Sequence, residues 1–212
     1  MDRDVTAVSI GDHAPKFKVA GFDAVRGLFD TYSLVDYEGE YVLLFFYPGD
    51  FTYVCPTELV ALAALKEQFA AIGVKVFVVS TDSKFSHKNW NEIELSKAIG
   101  GNYPFPMLSD TLGTIGSPYG IFRASEGTDL RGVVLIDKKS IVQLVYVNAP
   151  PIGRNPKEIL RLAMALKEND DSGGRVIPAC WMPGEDTIDP TFDNSGNMWN
   201  NYHGILEAKK EK

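Results

Sequence analysis

Residues 41–47 read Tyr-Val-Leu-Leu-Phe-Phe-Tyr, an unbroken apolar run bounded by Glu40 and Pro48. A run of this length and aromatic content suits a strand buried on both faces, and such strands belong to sheets covered by helices. Val74–Ser80 reads as the next buried strand, and Gly132–Asp137 as a further strand. Ile141–Val147 follows the last of these after the turn Lys138-Lys139-Ser140. Between them, Leu59, Leu62, Leu65 and Phe69 recur at helical spacing, with Gly73 as a stop. Ser86–Ala98 reads as a helix ending before Gly100-Gly101. Asn155–Leu166 reads as another, with Asn155 as N-cap and Glu158 placed for a capping box. Short apolar runs at Phe17–Phe22 and Gly27–Leu34 predict a hairpin and edge strands. The order of elements predicts an α/β layer fold.

The character changes after the last helix. Asn169–Gly174 is polar and Gly-rich, and Pro178, Pro183 and Pro190 punctuate the stretch beyond it. The division expected is a domain over 1–168 and an extended C-terminal arm over 169–212. Trp181, Phe192, Trp199 and Tyr202 make this arm too apolar for a free tail. It either packs on a second subunit or folds back on its own domain.

A net charge of −7 argues against a nucleic-acid or anionic-membrane surface, and no apolar run is long enough to span a membrane. Met1–Ile10 has neither the basic start and apolar stretch of a secretory signal nor the Arg- and Ser-rich pattern of a transit peptide. A cytoplasmic location is expected, or a mitochondrial one if a transit peptide has been removed. Two cysteines, Cys55 and Cys180, are no disulfide scaffold, and they suit a reducing compartment. With three scattered histidines, His13, His87 and His203, no metal site is expected.

Cys55 stands where a buried strand feeds a helix, a place where α/β folds put ligand sites. Free N–H groups and the positive end of the helix dipole favour an anion there, and the thiolate is the nucleophile. Thr52, three residues earlier on a first helical turn, falls on the same face, so its hydroxyl could serve both the thiolate and a bound substrate. Pro48 could shield the sulfur from water, and Arg131, opening the Gly132–Asp137 strand, is the best-placed cation. Position alone also leaves room for an inert, buried cysteine. Taken alone, Glu58 reads as a solvated first-turn acid and Arg154 as an exposed loop cation.

Pro48, Thr52 and Cys55 form a Pro-x-x-x-Thr-x-x-Cys string, within the longer Asp50-Phe51-Thr52-Tyr53-Val54-Cys55-Pro56-Thr57-Glu58. This resembles the peroxiredoxins, in particular the typical 2-Cys and alkyl hydroperoxide reductase C subgroup. The resemblance continues through Ser80-Thr81-Asp82-Ser83 with His87 and Trp90, Pro106–Asp110, Arg131-Gly132, Ile136-Asp137, Gly153-Arg154 and Trp181-x-Pro183-Gly184. It implies a thioredoxin-like fold with an N-terminal β-hairpin and extended C-terminal arm. It implies a peroxidase that reduces hydrogen peroxide and organic hydroperoxides without a cofactor. Cys55 would be the peroxidatic cysteine, Thr52, Pro48 and Arg131 its partners, and Glu58 and Arg154 a supporting network. The resemblance further implies a thioredoxin-like reductant and a homodimer, five of which often form a decameric ring.

The chain departs from that pattern in two places. In Val176-Ile177-Pro178-Ala179-Cys180-Trp181, Ile177 stands where the subgroup has its resolving cysteine, and Cys180 comes three residues later. Three extended residues span about 10 Å, and a disulfide needs Cα atoms within about 7 Å. Cys180 therefore resolves Cys55 only if the arm takes another path or unfolds locally; otherwise an external thiol resolves it. Gly100-Gly101 is followed by Asn102-Tyr103, and the tail Trp199-Asn200-Asn201-Tyr202-His203 has no Tyr-Phe pair, so moderate resistance to overoxidation is expected. The competing function is a redox relay or chaperone in which Cys180 is not the resolving thiol. A disulfide reductase is disfavoured by the missing Cys-x-x-Cys.

Overall fold

The computed structural model describes residues 7–196 and 198. The chain divides into two compact units, Met1–Lys157 and Glu158–Lys212.

The first unit is built on a seven-stranded sheet. Its strands are β1 (Lys18–Asp23), β2 (Leu28–Ser33), β3 (Tyr41–Phe46), β4 (Val74–Ser80), β5 (Met107–Ser109), β8 (Arg131–Ile136) and β9 (Val142–Asn148), and β6 (Phe122–Arg123) and β7 (Thr128–Asp129) form a separate small hairpin. The sheet order is β2-β1-β5-β4-β3-β8-β9. β3 runs parallel to β4 and antiparallel to β8, so the three strands lie side by side in the middle. All six residues of β3 and all six of β8 are buried. Alternation then sorts them by face. Val42, Leu44 and Phe46 join Phe77, Val79, Leu108, Val134 and Ile136 in one apolar cluster. Leu43 and Phe45 point to the opposite face of the sheet.

The predicted helix over 59–69 is two helices, α1 (Cys55–Ala63) and α2 (Lys66–Ala71). The apolar spacing runs on through the break, but Leu65 leaves helical geometry at φ −101°, ψ 9°. The predicted helix over 86–98 starts earlier, as α3 (Lys84–Trp90) with Ser83 capping the Ser86 N–H. It then widens into a π-helical turn over Asn91–Leu95 before α4 (Ser96–Ile99). β5, β6 and β7 are too short to leave a periodic signal.

β7 ends in Asp129, which is 1% exposed. Neither of its carboxylate oxygens has a hydrogen-bond donor among the described residues. Its Oδ1 lies over Gly116, close enough that a Cβ there would meet it at 2.5 Å. Burial, reinforced by the charge of Asp110, pushes the Asp129 carboxyl up to about 8.

The second unit contains α5 (Pro156–Asp171), which enters it across the boundary, and the segment beyond. Asn155 Oδ1 caps the Lys157 N–H (3.1 Å) as read from the sequence. Glu158 does not close a capping box; both its oxygens take the Arg161 guanidinium, at 2.7 and 2.8 Å. Residues 169–171, expected to be linker, continue the helix, and the Asn169 carbonyl accepts from the Gly174 N–H to end it. Cys180 is exposed, in a turn closed by the Trp181 N–H to the Pro178 carbonyl. It has φ +62°, a left-handed value uncommon for a residue with a side chain. The Arg161 Nη1 holds the next carbonyl, that of Trp181, at 2.9 Å. Trp199, Tyr202 and the rest of the 199–203 string lie outside the described residues.

Candidate active site

Cys55 is the first residue of α1, with Pro56 behind it. Proline suits the first turn because its fixed φ is helical and its missing N–H has no partner to lose there. This start places Thr52 before the helix rather than on its first turn. The Thr52 hydroxyl donates to the Gly49 carbonyl at 2.9 Å. Engaged in this way, the hydroxyl keeps its lone pairs free to accept. Pro48, directly after the strand, is half-buried.

The sulfur of Cys55 is fully buried and lies 3.3 Å from Arg131 Nη1. The same Nη1 donates to Glu58 Oε2 at 2.7 Å, and Arg131 Nε donates to the Pro150 carbonyl at 2.5 Å. Arg131 is thus fixed at both ends of its fork while touching sulfur. Glu58 is one turn along α1 from Cys55 and is buried, not solvated. Arg154 is buried as well, not an exposed loop cation. Its backbone N–H, Nε and Nη2 all reach Glu58, at 2.6, 2.8 and 2.9 Å, and its Nη1 donates to the Gly132 carbonyl at 2.6 Å. Its guanidinium lies 3.5 Å from the ring centre of Phe45, on the face of the sheet opposite the apolar cluster.

Burial alone would push the Glu58 carboxyl up. Hydrogen bonds and charge from Arg154, then the charge of Arg131, outweigh it and hold the carboxyl below its ordinary range. The cluster then holds two cations and one anion in a nearly dry space. The Cys55 sulfur lies against one of the two cations, Arg131.

The structure therefore brings Cys55, Glu58, Arg131 and Arg154 together from α1, β8 and the loop after β9. Cys180 belongs to the second unit, and both cysteines are free thiols. Sequence reasoning missed the Pro150 and Gly132 carbonyls, since a backbone acceptor leaves no residue-type signal. Gly153, named there only beside Arg154, sits where a Cβ would come within 3.2 Å of Val54.

The segment carrying Cys55 has its own anchors. Tyr47 donates its hydroxyl to Asp50 Oδ1 at 2.8 Å. Burial, with the Asp50 charge beside it, holds that hydroxyl protonated far above the ordinary tyrosine range. His87, on α3, sets Nδ1 2.9 Å from Asp50 Oδ2 and Nε2 3.2 Å from the Leu108 carbonyl oxygen. Asp82 accepts from the Asp50 N–H and the Ser80 hydroxyl, each at 2.8 Å.

Residues 10–145 match the model of the AhpC/TSA family. The selenocysteine-containing peroxiredoxin PrxU of Peptoclostridium acidaminophilum is 43% identical over 202 residues, covering 95% of this chain and 98% of that protein. Peroxiredoxin-2 of Macaca fascicularis is 41% identical over 196 residues, covering 92% and 96%. Among solved structures, reduced Plasmodium vivax 2-Cys peroxiredoxin superposes with a TM-score of 0.81 at 36% identity, covering 87% of this chain and 94% of that one. Enterococcus faecalis AhpC gives 0.73 at 28% identity, covering 80% and 98%.

Proposed function

Since the chain belongs to the AhpC/TSA family and is a peroxiredoxin, a thiol-dependent peroxidase with a thioredoxin-like fold, we propose that Cys55 is its peroxidatic thiol and Cys180 its resolving thiol. The observation that carries the first half is Arg131 Nη1, held between Cys55 Sγ at 3.3 Å and Glu58 Oε2 at 2.7 Å. The Cys55 thiolate attacks the terminal oxygen of hydrogen peroxide or an organic hydroperoxide. The O–O bond breaks, the terminal OH passes to the sulfur, which is oxidised to sulfenic acid, and the alkoxide or hydroxide takes a proton from solvent and leaves as alcohol or water. Arg131 stabilises the thiolate and the charge on the breaking O–O bond. Thr52 accepts from the peroxide O–H, and Pro48 keeps water from the sulfur. Glu58 and Arg154 keep Arg131 aimed.

Cys180 then condenses with the sulfenic acid, a disulfide forms between subunits, and water leaves. A thioredoxin-like dithiol restores both thiols and is itself oxidised. The exposure of Cys180 supports this reading, because a resolving thiol has to be reachable. The assembly proposed is a homodimer, five of which make a ring, and moderate resistance to overoxidation goes with it.

The test is one equivalent of hydrogen peroxide on the reduced protein, followed by thiol quenching and non-reducing denaturing mass analysis. A covalent dimer through Cys55 and Cys180 is expected, and Cys180→Ser should abolish it. Monomer with oxidised Cys55 and free Cys180 would mean a one-cysteine peroxidase or relay. An untouched Cys55 would overturn the assignment of the peroxidatic thiol.

A further inference from the structure

A disulfide brings two sulfurs to about 2.05 Å, and Cys55 is 0% exposed. Its sulfenic acid must leave the pocket before any thiol can resolve it. The segment ahead of Cys55, residues 48–54, is tied down through Asp50, and Tyr47 before it is held to the sheet by its N–H on the Val79 carbonyl. The Asp50 side chain takes the Tyr47 hydroxyl at 2.8 Å and faces His87 Nδ1 at 2.9 Å, while its backbone N–H is held by Asp82 at 2.8 Å. His87 and the Asp50 side chain are 0% and 1% exposed, so water does not replace these contacts while the segment stays shut. The next residue pulls the other way. Phe51 has φ +54°, in the left-handed region that a bulky side chain occupies at a cost, and about half of it is exposed. Opening relaxes Phe51; closing requires Asp50 to be held.

We infer that Tyr47, Asp50 and His87 form a latch that sets how long oxidised Cys55 stays buried. The latch thereby sets how the sulfenic acid divides between two fates. This rests on the peroxidase reading of Cys55. In the open segment, the sulfenic acid and a thiol give a disulfide and water. In the closed one, the sulfenate and a second hydroperoxide give sulfinate and an alcohol or water. The three are positioning residues, acting through the segment and not on the sulfur.

Trp90 reports on the segment, with its ring 5.7 Å from Tyr47 and 6.2 Å from Phe51. In stopped flow with hydrogen peroxide, a fast phase follows oxidation of Cys55, and a slower one follows opening and disulfide formation. Asp50→Asn removes the charge and should speed the slow phase about tenfold, the scale of one hydrogen bond to a charged group. Tyr47→Phe, which deletes a single hydroxyl, should speed it less. The fast phase should stay within twofold in both, and sulfinic acid per turnover, read by intact mass, should fall as the slow phase rises. The same ordering is expected in a Cys180→Ser background with dithiothreitol as the resolving thiol. A slowed fast phase with an unchanged slow one would make these residues mere support for the pocket and overturn the latch. So would no change in either phase, or a slower slow phase. Loss of the fast phase in the unaltered protein would defeat the peroxidase reading, and the latch with it.

Discussion

Replacing Asp129 by Asn should make the protein more stable near neutral pH, although it removes a natural side chain from the interior. In the native state, burial and the nearby Asp110 push the Asp129 carboxyl from its ordinary 3.8 to about 8. The native state therefore keeps this proton after the unfolded chain has lost it. The stability contributed at this site is fully present below about 3.8, declines as pH rises, and levels off above about 8. One pH unit within that window costs about 1.4 kcal/mol. By pH 7 the accumulated loss is about 4 kcal/mol, an upper figure because partial relaxation around the charge would reduce it. Asparagine is nearly isosteric and does not titrate, and its unpartnered amide has a burial cost of the same order as the neutral acid it replaces. Urea unfolding of both proteins at one protein concentration, from pH 5 to pH 8, measures the difference. Groups common to both proteins cancel, so the gap between the two curves should widen in favour of Asp129→Asn by about 1.4 kcal/mol per unit. Parallel curves would refute the reasoning, because they would mean that the carboxylate is accommodated in the fold as well as in water.

Glu58→Ala strands two buried guanidinium groups and should cost about 3–5 kcal/mol, measurable by the same unfolding assay. Because Glu58 is held below its ordinary range, its contribution is present above the unfolded value, near 4.5, and is lost as pH falls through the native one; Glu58→Gln should flatten the acid side of the stability profile. Arg131→Lys keeps the charge but cannot reach Cys55, Glu58 and Pro150 together; stopped flow with hydrogen peroxide should show the oxidation rate constant down about a hundredfold, about 2.7 kcal/mol of barrier. Gly132→Ala would put a Cβ 2.5 Å from Ile121; thermal and urea unfolding should both show a loss of about 1–3 kcal/mol from overpacking.

Much of the fold was legible because its middle is made of strands buried on both faces. Apolar residues dominate there, and β3 is a continuous apolar run, while β4 and β8 are nearly so, broken by the exposed Lys75 and opened by Arg131. The break at Leu65 and the π-helical turn at Asn91–Leu95 were not legible, since both keep the apolar spacing of an ordinary helix. At the site, Cys55, Glu58, Arg131 and Arg154 were named from motif and resemblance, but the residues alone gave the wrong environment for two of them. A first-turn glutamate and a loop arginine look solvated until their partners, 96 residues apart, are known. Thr52 was placed on a helical turn that Cys55 starts three residues later. The left-handed Phe51 and Cys180 had no signal, because neither residue type favours that conformation. Asp129 had none either, as nothing near it in sequence says that it will be enclosed.

The pairing of β3 with β8 also determines when the thiol meets its cation. Arg131 lies 76 residues beyond Cys55, and domains assemble from the N-terminus as the chain is made. The segment with Cys55 emerges from the ribosome long before its cation exists, and closing so large a loop is among the slower events of folding. The nascent chain thus carries Cys55 without Arg131, and the two meet only when the sheet is complete.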